Sequence, residues 1–220
     1  TERKRAEEKV KSLKKEKEVL VKETHHRAKN NFMVVSSLLS LQSQQIEDET
    51  IQKLFLKSHD RIRSMSLIHE RLYKSQDLTH IDFAEYIRTL AAELYESYGT
   101  DRAKVSLVVE AEDVTLNLDQ AIPCGLIMNE LVSNALKYGF PDDGKGWGEI
   151  KVTLRKTGEN EVELAVKDNG VGLPDDFDIQ KSKSLGLKII NLLAEDQLQG
   201  KLRIDRNEGT GFVVRFNVER

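Results

Sequence analysis

One cysteine in 220 residues leaves no partner for a disulfide within the chain, and the paired Cys and His spacings of a metal centre are missing as well. Cys124 lies in the apolar run Ala121 to Met128 and reads as a small buried residue. An excess of one charge is also lacking: 34 basic residues stand against 37 acidic ones, so no electrostatic case for nucleic acid arises. No apolar run approaches the ~18 residues of a membrane span, and the charged first residues do not resemble a signal peptide. A reducing, cytoplasmic setting fits this stretch. The sequence starts at Thr1 without Met, which leads us to expect a fragment whose upstream part is missing. Internal repeats are absent. What is present is 39% hydrophobic and 32% charged residues, a globular composition rich in exposed helix and long enough for two units.

Residues 1–22 are almost all Lys, Glu and Arg, with Val10, Leu13 and Leu20 as a thin heptad seam. A signalling coiled coil is expected there, with a solvated single helix as the alternative for the first ten residues. From Val21 the positions His25, Ala28, Phe32, Val35, Leu39, Gln42 and Ile46 recur at threes and fours, widened by Leu38 and Leu41, predicting one buried stripe on a long helix. Asp48 can cap the next helix, where Ile51, Leu54, Phe55, Ser58, Ile62, Met65, His69 and Leu72 repeat the period. An antiparallel hairpin over 23–78 follows. One hairpin buries too little alone, so a homodimer forming a four-helix bundle is expected.

The remainder, 79–220, reads as an α+β sandwich. A helix is predicted from Ile81 to about Tyr98, ended by Gly99, and strands over Val105–Val109 and Val114–Leu118. A helix from about Asp119 to Tyr138 precedes a glycine-rich stretch, Gly139 to Gly148. The hairpin Glu149–Lys156 and Glu161–Lys167 turns at Gly158 to Asn160. A loop, a helix over about 185–198 and a closing hairpin (201–205, 212–218) complete a largely antiparallel arrangement.

On the Asp119–Tyr138 helix, Glu130, Asn134, Lys137 and Tyr138 fall on neighbouring turns of one face, with Leu126, Ile127, Leu131, Ala135 and Leu136 on the other side. The amide oxygen of Asn134 is a hard ligand suited to Mg²⁺, Lys137 can neutralise phosphate, and Glu130 can orient a water or accept a proton. Asp168 at a strand end can accept the exocyclic amine of adenine, while Gly170 and Gly172 let the backbone approach the ring. Ser184, Gly186 and Leu187 begin a helix whose free amides can face phosphate, and Thr210, between Gly209 and Gly211, can add a hydroxyl. Mg-ATP is the expected ligand.

In that order the motifs Asn129-Glu130 to Asn134-Ala135-Leu136-Lys137-Tyr138, Asp168-Asn169-Gly170-Val171-Gly172, Leu185-Gly186-Leu187 and Gly209-Thr210-Gly211 resemble the GHKL (Bergerat) ATP-binding fold of sensor histidine kinases, Hsp90, MutL and gyrase. The likeness covers about residues 82–218 and implies Asn134 on Mg²⁺ and Asp168 on adenine. Ser184 departs from the usual glycine, and the lid over 173–183 is short.

Thr24-His25-His26-Arg27-Ala28-Lys29-Asn30-Asn31-Phe32 resembles the acceptor box of histidine kinases related to the HWE group. His25 falls on the buried stripe, and His26 is turned about 100° from it. His26 is therefore the preferred phosphoryl acceptor, with His25 as the alternative. The resemblance implies autophosphorylation followed by transfer to a response-regulator receiver aspartate. Arg27 replaces the acidic residue that often follows the acceptor, so Glu130 and Glu23 are candidate proton acceptors. Arg27 and Lys29 either contact phosphate or are solvated. Two other readings compete: a GHKL serine kinase of anti-sigma type, and a coiled-coil module that binds nucleotide structurally.

Overall fold

In the computed structural model, which describes residues 2–72, 80–97, 105–141, 147–174, 177–179, 181, 182 and 184–218, the Lys/Glu-rich start runs without a break into the acceptor region. A single helix, α1 (Glu2–Ser43), spans both the 1–22 stretch and the first arm of the hairpin. No Gly or Pro interrupts these residues, and either would be needed to end a helix cheaply there. The chain divides into two compact units, Thr1–Gln76 and Asp77–Arg220.

In the first unit α1 packs along α2 (Glu49–Leu72) as a hairpin. Asp48 caps α2 as its sequence position suggests, its Oδ1 accepting from the Ile51 amide at 3.1 Å. The Gln52 side chain donates to the Ser43 carbonyl at 3.1 Å, tying the end of α1 to the start of α2. Phe32 meets His69 edge to face at 5.7 Å, and Lys29 pairs with Glu70 at 2.9 Å. Burial lowers the His69 pKa, favouring the uncharged imidazole.

Of the stripe expected on α1, Ala28, Phe32, Leu39 and Ile46 are half-buried, but Leu38 and Leu41, expected to widen it, face solvent. Val35 and Gln42 are exposed, whereas Phe32, Ser36, Leu39 and Ser40 are half-buried and Ser43 is buried. The line that meets α2 therefore mixes large apolar side chains, Phe32 and Leu39, with the small hydroxyls of Ser36, Ser40 and Ser43. A second line faces solvent: Leu13, Leu20, Val34 and Leu41 recur in steps of seven or fourteen, with Leu38 beside them, all more than half exposed.

In the second unit, the five-stranded sheet has the order β2-β4-β5-β7-β6, with β2 at Val105–Ala111, β4 at Gly148–Lys156, β5 at Glu161–Asp168, β6 at Lys201–Asp205 and β7 at Thr210–Asn217. Its members pair antiparallel except β2 with β4, which are parallel, so the sheet is largely antiparallel as expected with one parallel pair added. Parallel neighbours need a long crossover, and α4 (Leu118–Asn134) lies within it. The strand expected over 114–118 shrinks to β3 (Thr115–Leu116), because Asn117 caps α4, its Oδ1 accepting from the Gln120 amide at 2.9 Å. β3 pairs with β1 (Ile81–Asp82), two residues expected to be helical, and α3 (Phe83–Ser97) begins after them. Tyr98 and Gly99, residues 142–146 of the glycine-rich stretch and the 75–79 connection lie outside the described residues.

One sheet face carries Ile150, Val152, Leu154, Leu164, Val214 and Phe216, all at most 2% exposed. It packs beneath α3, α4 and α5 (Leu185–Leu192), which contribute Phe83, Ile87, Ile127 and Ile190. Each fully buried side chain of this size contributes about 1.5–3 kcal/mol. The opposite face is charged. Glu163 on β5, 4% exposed, accepts from Arg155 and Arg215 on its two neighbours, each at 2.6 Å. Burial alone would raise its pKa, but the two guanidiniums outweigh it and hold the carboxyl below the usual range.

Candidate functional site

A cleft in the second unit is framed by the end of α4, the ends of β5 and β7, and the start of α5. Leu131, Asn134 and Ala135 face it at helical spacing. After Asn134 the helix widens into a π-helical turn, Ala135–Gly139, and this turn adds Tyr138 and Gly139 to the wall. Val166 and Asp168 alternate onto the same side of β5, directly opposite Phe212 and Thr210 of β7 in the strand register. Gly172, Leu173, Ser184 and Leu187 close the remaining side.

Asp168 is the polar group on the floor. Its Oδ1 accepts from the Gly170 amide at 2.9 Å and the Thr210 amide at 3.4 Å. Its Oδ2 has no partner among the described residues, leaving one oriented acceptor for a ligand. Burial raises the Asp168 pKa, and the two amides counteract without reversing it. The amide side chain of Asn134, half-buried in the wall, is likewise uncommitted among the described residues. So are the hydroxyls of Ser184 and Thr210.

Close backbone approach holds the Asp168 turn in place. The Val171 amide donates to the Gly139 carbonyl at 2.9 Å, and a Cβ on Gly170 would stand 2.1 Å from that same oxygen. Asn169 braces the other side, its Oδ1 accepting from the Glu149 amide at 2.7 Å. Gly209 has φ 102°, and a Cβ there would lie 2.0 Å from the Asp168 carbonyl oxygen. Gly209→Ala is accordingly expected to destabilise this unit by at least about 2 kcal/mol, readable by urea unfolding.

Of the residues singled out from sequence, Asn134, Tyr138, Asp168, Gly172, Ser184, Leu187 and Thr210 line the cleft. Glu130 is buried on α4 and Lys137 is exposed on the π-turn, and neither is a lining residue. Gly170 and Gly186 are not among the lining residues either. Leu131 and Ala135, assigned by their spacing to the far side of the helix, face the cleft instead, because they adjoin Asn134 on one helical surface. Gly139, Val166, Leu173 and Phe212 were missed. The period-two rule could have found Val166 and Phe212, two positions from Asp168 and Thr210 respectively.

His25 and His26 fall on α1, in the other unit, with their side chains outside those described. Next to them on the helix, Arg27 Nε donates to Glu23 Oε1 at 3.0 Å on the exposed surface. Among the described residues no cluster of His, Cys, Asp and Glu could hold a metal ion, and no helix is long and apolar enough to cross a membrane.

Residues 23–98 match the family described as histidine kinase, and residues 119–220 match the histidine kinase-, DNA gyrase B- and HSP90-like ATPases. The chain is similar to the sensor histidine kinase PdtaS of Mycobacterium tuberculosis, 30% identical over 93% of this chain and 40% of the relative. It is also similar to blue-light-activated histidine kinase 2 of Erythrobacter litoralis, 27% identical over 89% of this chain and 56% of the relative. The chain thus spans about half, or less, of these relatives' length. Among solved structures, the histidine kinase domain of the E. litoralis EL346 blue-light activated kinase shares the fold, with a TM-score of 0.61 at 22% identity, covering 84% of this chain and 95% of that one.

Proposed function

Because this chain belongs to the histidine kinases, we propose that it is the catalytic core of a two-component sensor kinase, which phosphorylates His26 from ATP and passes the phosphoryl group to a response-regulator aspartate. The observation that carries this reading is the joint presence of a histidine acceptor box on α1 and a cleft whose one uncommitted carboxylate oxygen sits between apolar walls. Leu131, Ala135, Val166 and Phe212 suit the faces of a purine. Asp168 Oδ2 suits its amine. Asn134, with its free amide oxygen, is the residue we assign to Mg²⁺, which would offset the phosphate charge when bound. Lys137 and the α5 start, with Ser184 and Gly186, supply positive potential for the phosphates.

At the acceptor, a neutral His26 nitrogen supplies the lone pair for in-line attack, and the chain's contribution is mainly positioning. Glu130 and Glu23 are the candidate proton acceptors; Glu23 is already paired with Arg27. Lys29 is engaged by Glu70, which favours a structural role for it over phosphate contact. The serine-kinase alternative is not favoured, since residues 23–98 match a histidine kinase family. Incubation with γ-labelled ATP and Mg²⁺ tests the proposal. Acid-labile, alkali-stable label is expected; acid-stable label on serine, or none despite nucleotide binding, overturns it.

We further assign the exposed seam of α1 to a homodimer, in a cytoplasmic setting downstream of a sensor domain. Leu13, Leu20, Val34, Leu38 and Leu41 continue one heptad frame along the helix, and a seam of this length in water favours a partner helix. The double substitution Leu38→Glu and Leu41→Glu is expected to convert a dimer into a monomer at micromolar concentration, as read by sedimentation equilibrium.

A further inference from the structure

Arg206 is exposed and does not line the cleft, yet its Nη2 donates to the backbone carbonyl of Phe177, 29 positions earlier. The turn that carries Arg206 is also the turn that closes on the buried carboxylate. Within it the Asn207 amide donates to Asp205 Oδ1 at 3.0 Å, Gly209 abuts the Asp168 carbonyl, and the Thr210 amide reaches Asp168 Oδ1. Gly172 meets the same turn from the other side, where an added Cβ would stand 3.5 Å from the Gly209 carbonyl oxygen. The chain leaving β5 therefore lies against the β6–β7 turn at Gly172 and is hydrogen-bonded to it at Phe177. Between them lie Leu173, a wall of the cleft, and Pro174, whose carbonyl accepts from the Phe177 amide at 3.0 Å.

We infer that Arg206 is a positioning residue for nucleotide binding: by holding the Phe177 carbonyl it keeps Leu173 in the cleft wall and joins that wall to the turn that contacts Asp168. A guanidinium suits this task, being permanently charged and presenting several donors in a fixed plane to a carbonyl that no regular element satisfies. The side chain acts from outside, so its loss should widen the wall without removing any group that touches ligand. The inference rests on the nucleotide reading above.

The test compares wild type with Arg206→Ala and with Arg206→Lys, which keeps one charged donor. Affinities for ADP and ATP are measured with the half-saturating ATP concentration and saturating rate of autophosphorylation, the thermal midpoint, and the rate of tryptic cleavage after Lys181. Arg206→Ala is expected to weaken ADP and ATP alike by about three- to tenfold, the usual loss for one such hydrogen bond. The saturating rate and thermal midpoint should stay near wild type, cleavage after Lys181 should accelerate, and Arg206→Lys should fall between the two. Wild-type affinity in Arg206→Ala, a loss confined to ATP, or a lower saturating rate at unchanged affinity would each overturn the assignment. Failure of the wild-type protein to bind either nucleotide would instead overturn the nucleotide reading itself.

Discussion

His26→Ala is expected to reduce acid-labile labelling from γ-labelled ATP to background, while His25→Ala retains it. α1 runs unbroken from Glu2 to Ser43, so positions 25 and 26 belong to one rigid helix and project about 100° apart. In-line transfer demands one direction of approach, and a phosphate presented to one of these positions is out of line for the other. Position 25 lies three and seven residues before Ala28 and Phe32, both half-buried against α2. Position 26 is displaced from that line and precedes Arg27, the step that carries the family resemblance. Label retained in His26→Ala but lost in His25→Ala would exchange the two roles.

Asp168→Asn should weaken ATP binding by roughly ten- to a hundredfold, the effect of losing a hydrogen bond to a charged acceptor. The substituted amide can keep its oxygen on the Gly170 and Thr210 amides, so the turn survives. Its NH₂ then occupies the place of Oδ2, and a donor faces the donor of the purine amine. The wild-type protein should also lose affinity as pH falls, because the accepting form is the carboxylate. Burial raises the Asp168 pKa from its ordinary 3.8, so this loss begins at a higher pH than for an exposed aspartate. Folding has the opposite sign. A raised carboxyl contributes stability that is complete below 3.8 and disappears as pH rises through the folded-state value. Nucleotide titrations of wild type and Asp168→Asn over acid pH check both points, since the phosphates titrate identically in the two proteins. Parallel pH profiles would remove Asp168 from the base site.

How much of this was readable beforehand depended on whether a feature is local. The threes and fours from Ile51 to Leu72 are sufficient for α2, because a helix buries its own periodicity. The alternation of Val105 to Val109 marks a strand but carries no information on its neighbour, so the parallel pairing with β4 could not be read. On α1 the expected stripe took in Val35 and Gln42, which are exposed, and left out Ser36 and Ser43, which are not, because a spacing of threes and fours admits more than one line along a helix. Asp168 stood out because two glycines follow it. The division of its oxygens between the Thr210 amide and the open cleft depends on β7, 42 residues later. Arg206 had no local signal at all, since its partner is a carbonyl in another segment.

The position of β7 bears on how this unit comes to exist in a cell. β7 is the last strand of the unit to be synthesised, yet it lies inside the sheet between β5 and β6 and supplies the Thr210 amide to Asp168. A nascent chain cannot complete the cleft while β7 is still within the ribosome, because β5 then lacks a neighbour along one entire edge. A chain that ends before residue 210 therefore leaves β5 unpaired along the edge that β7 covers, with no Thr210 amide to hold Asp168 Oδ1.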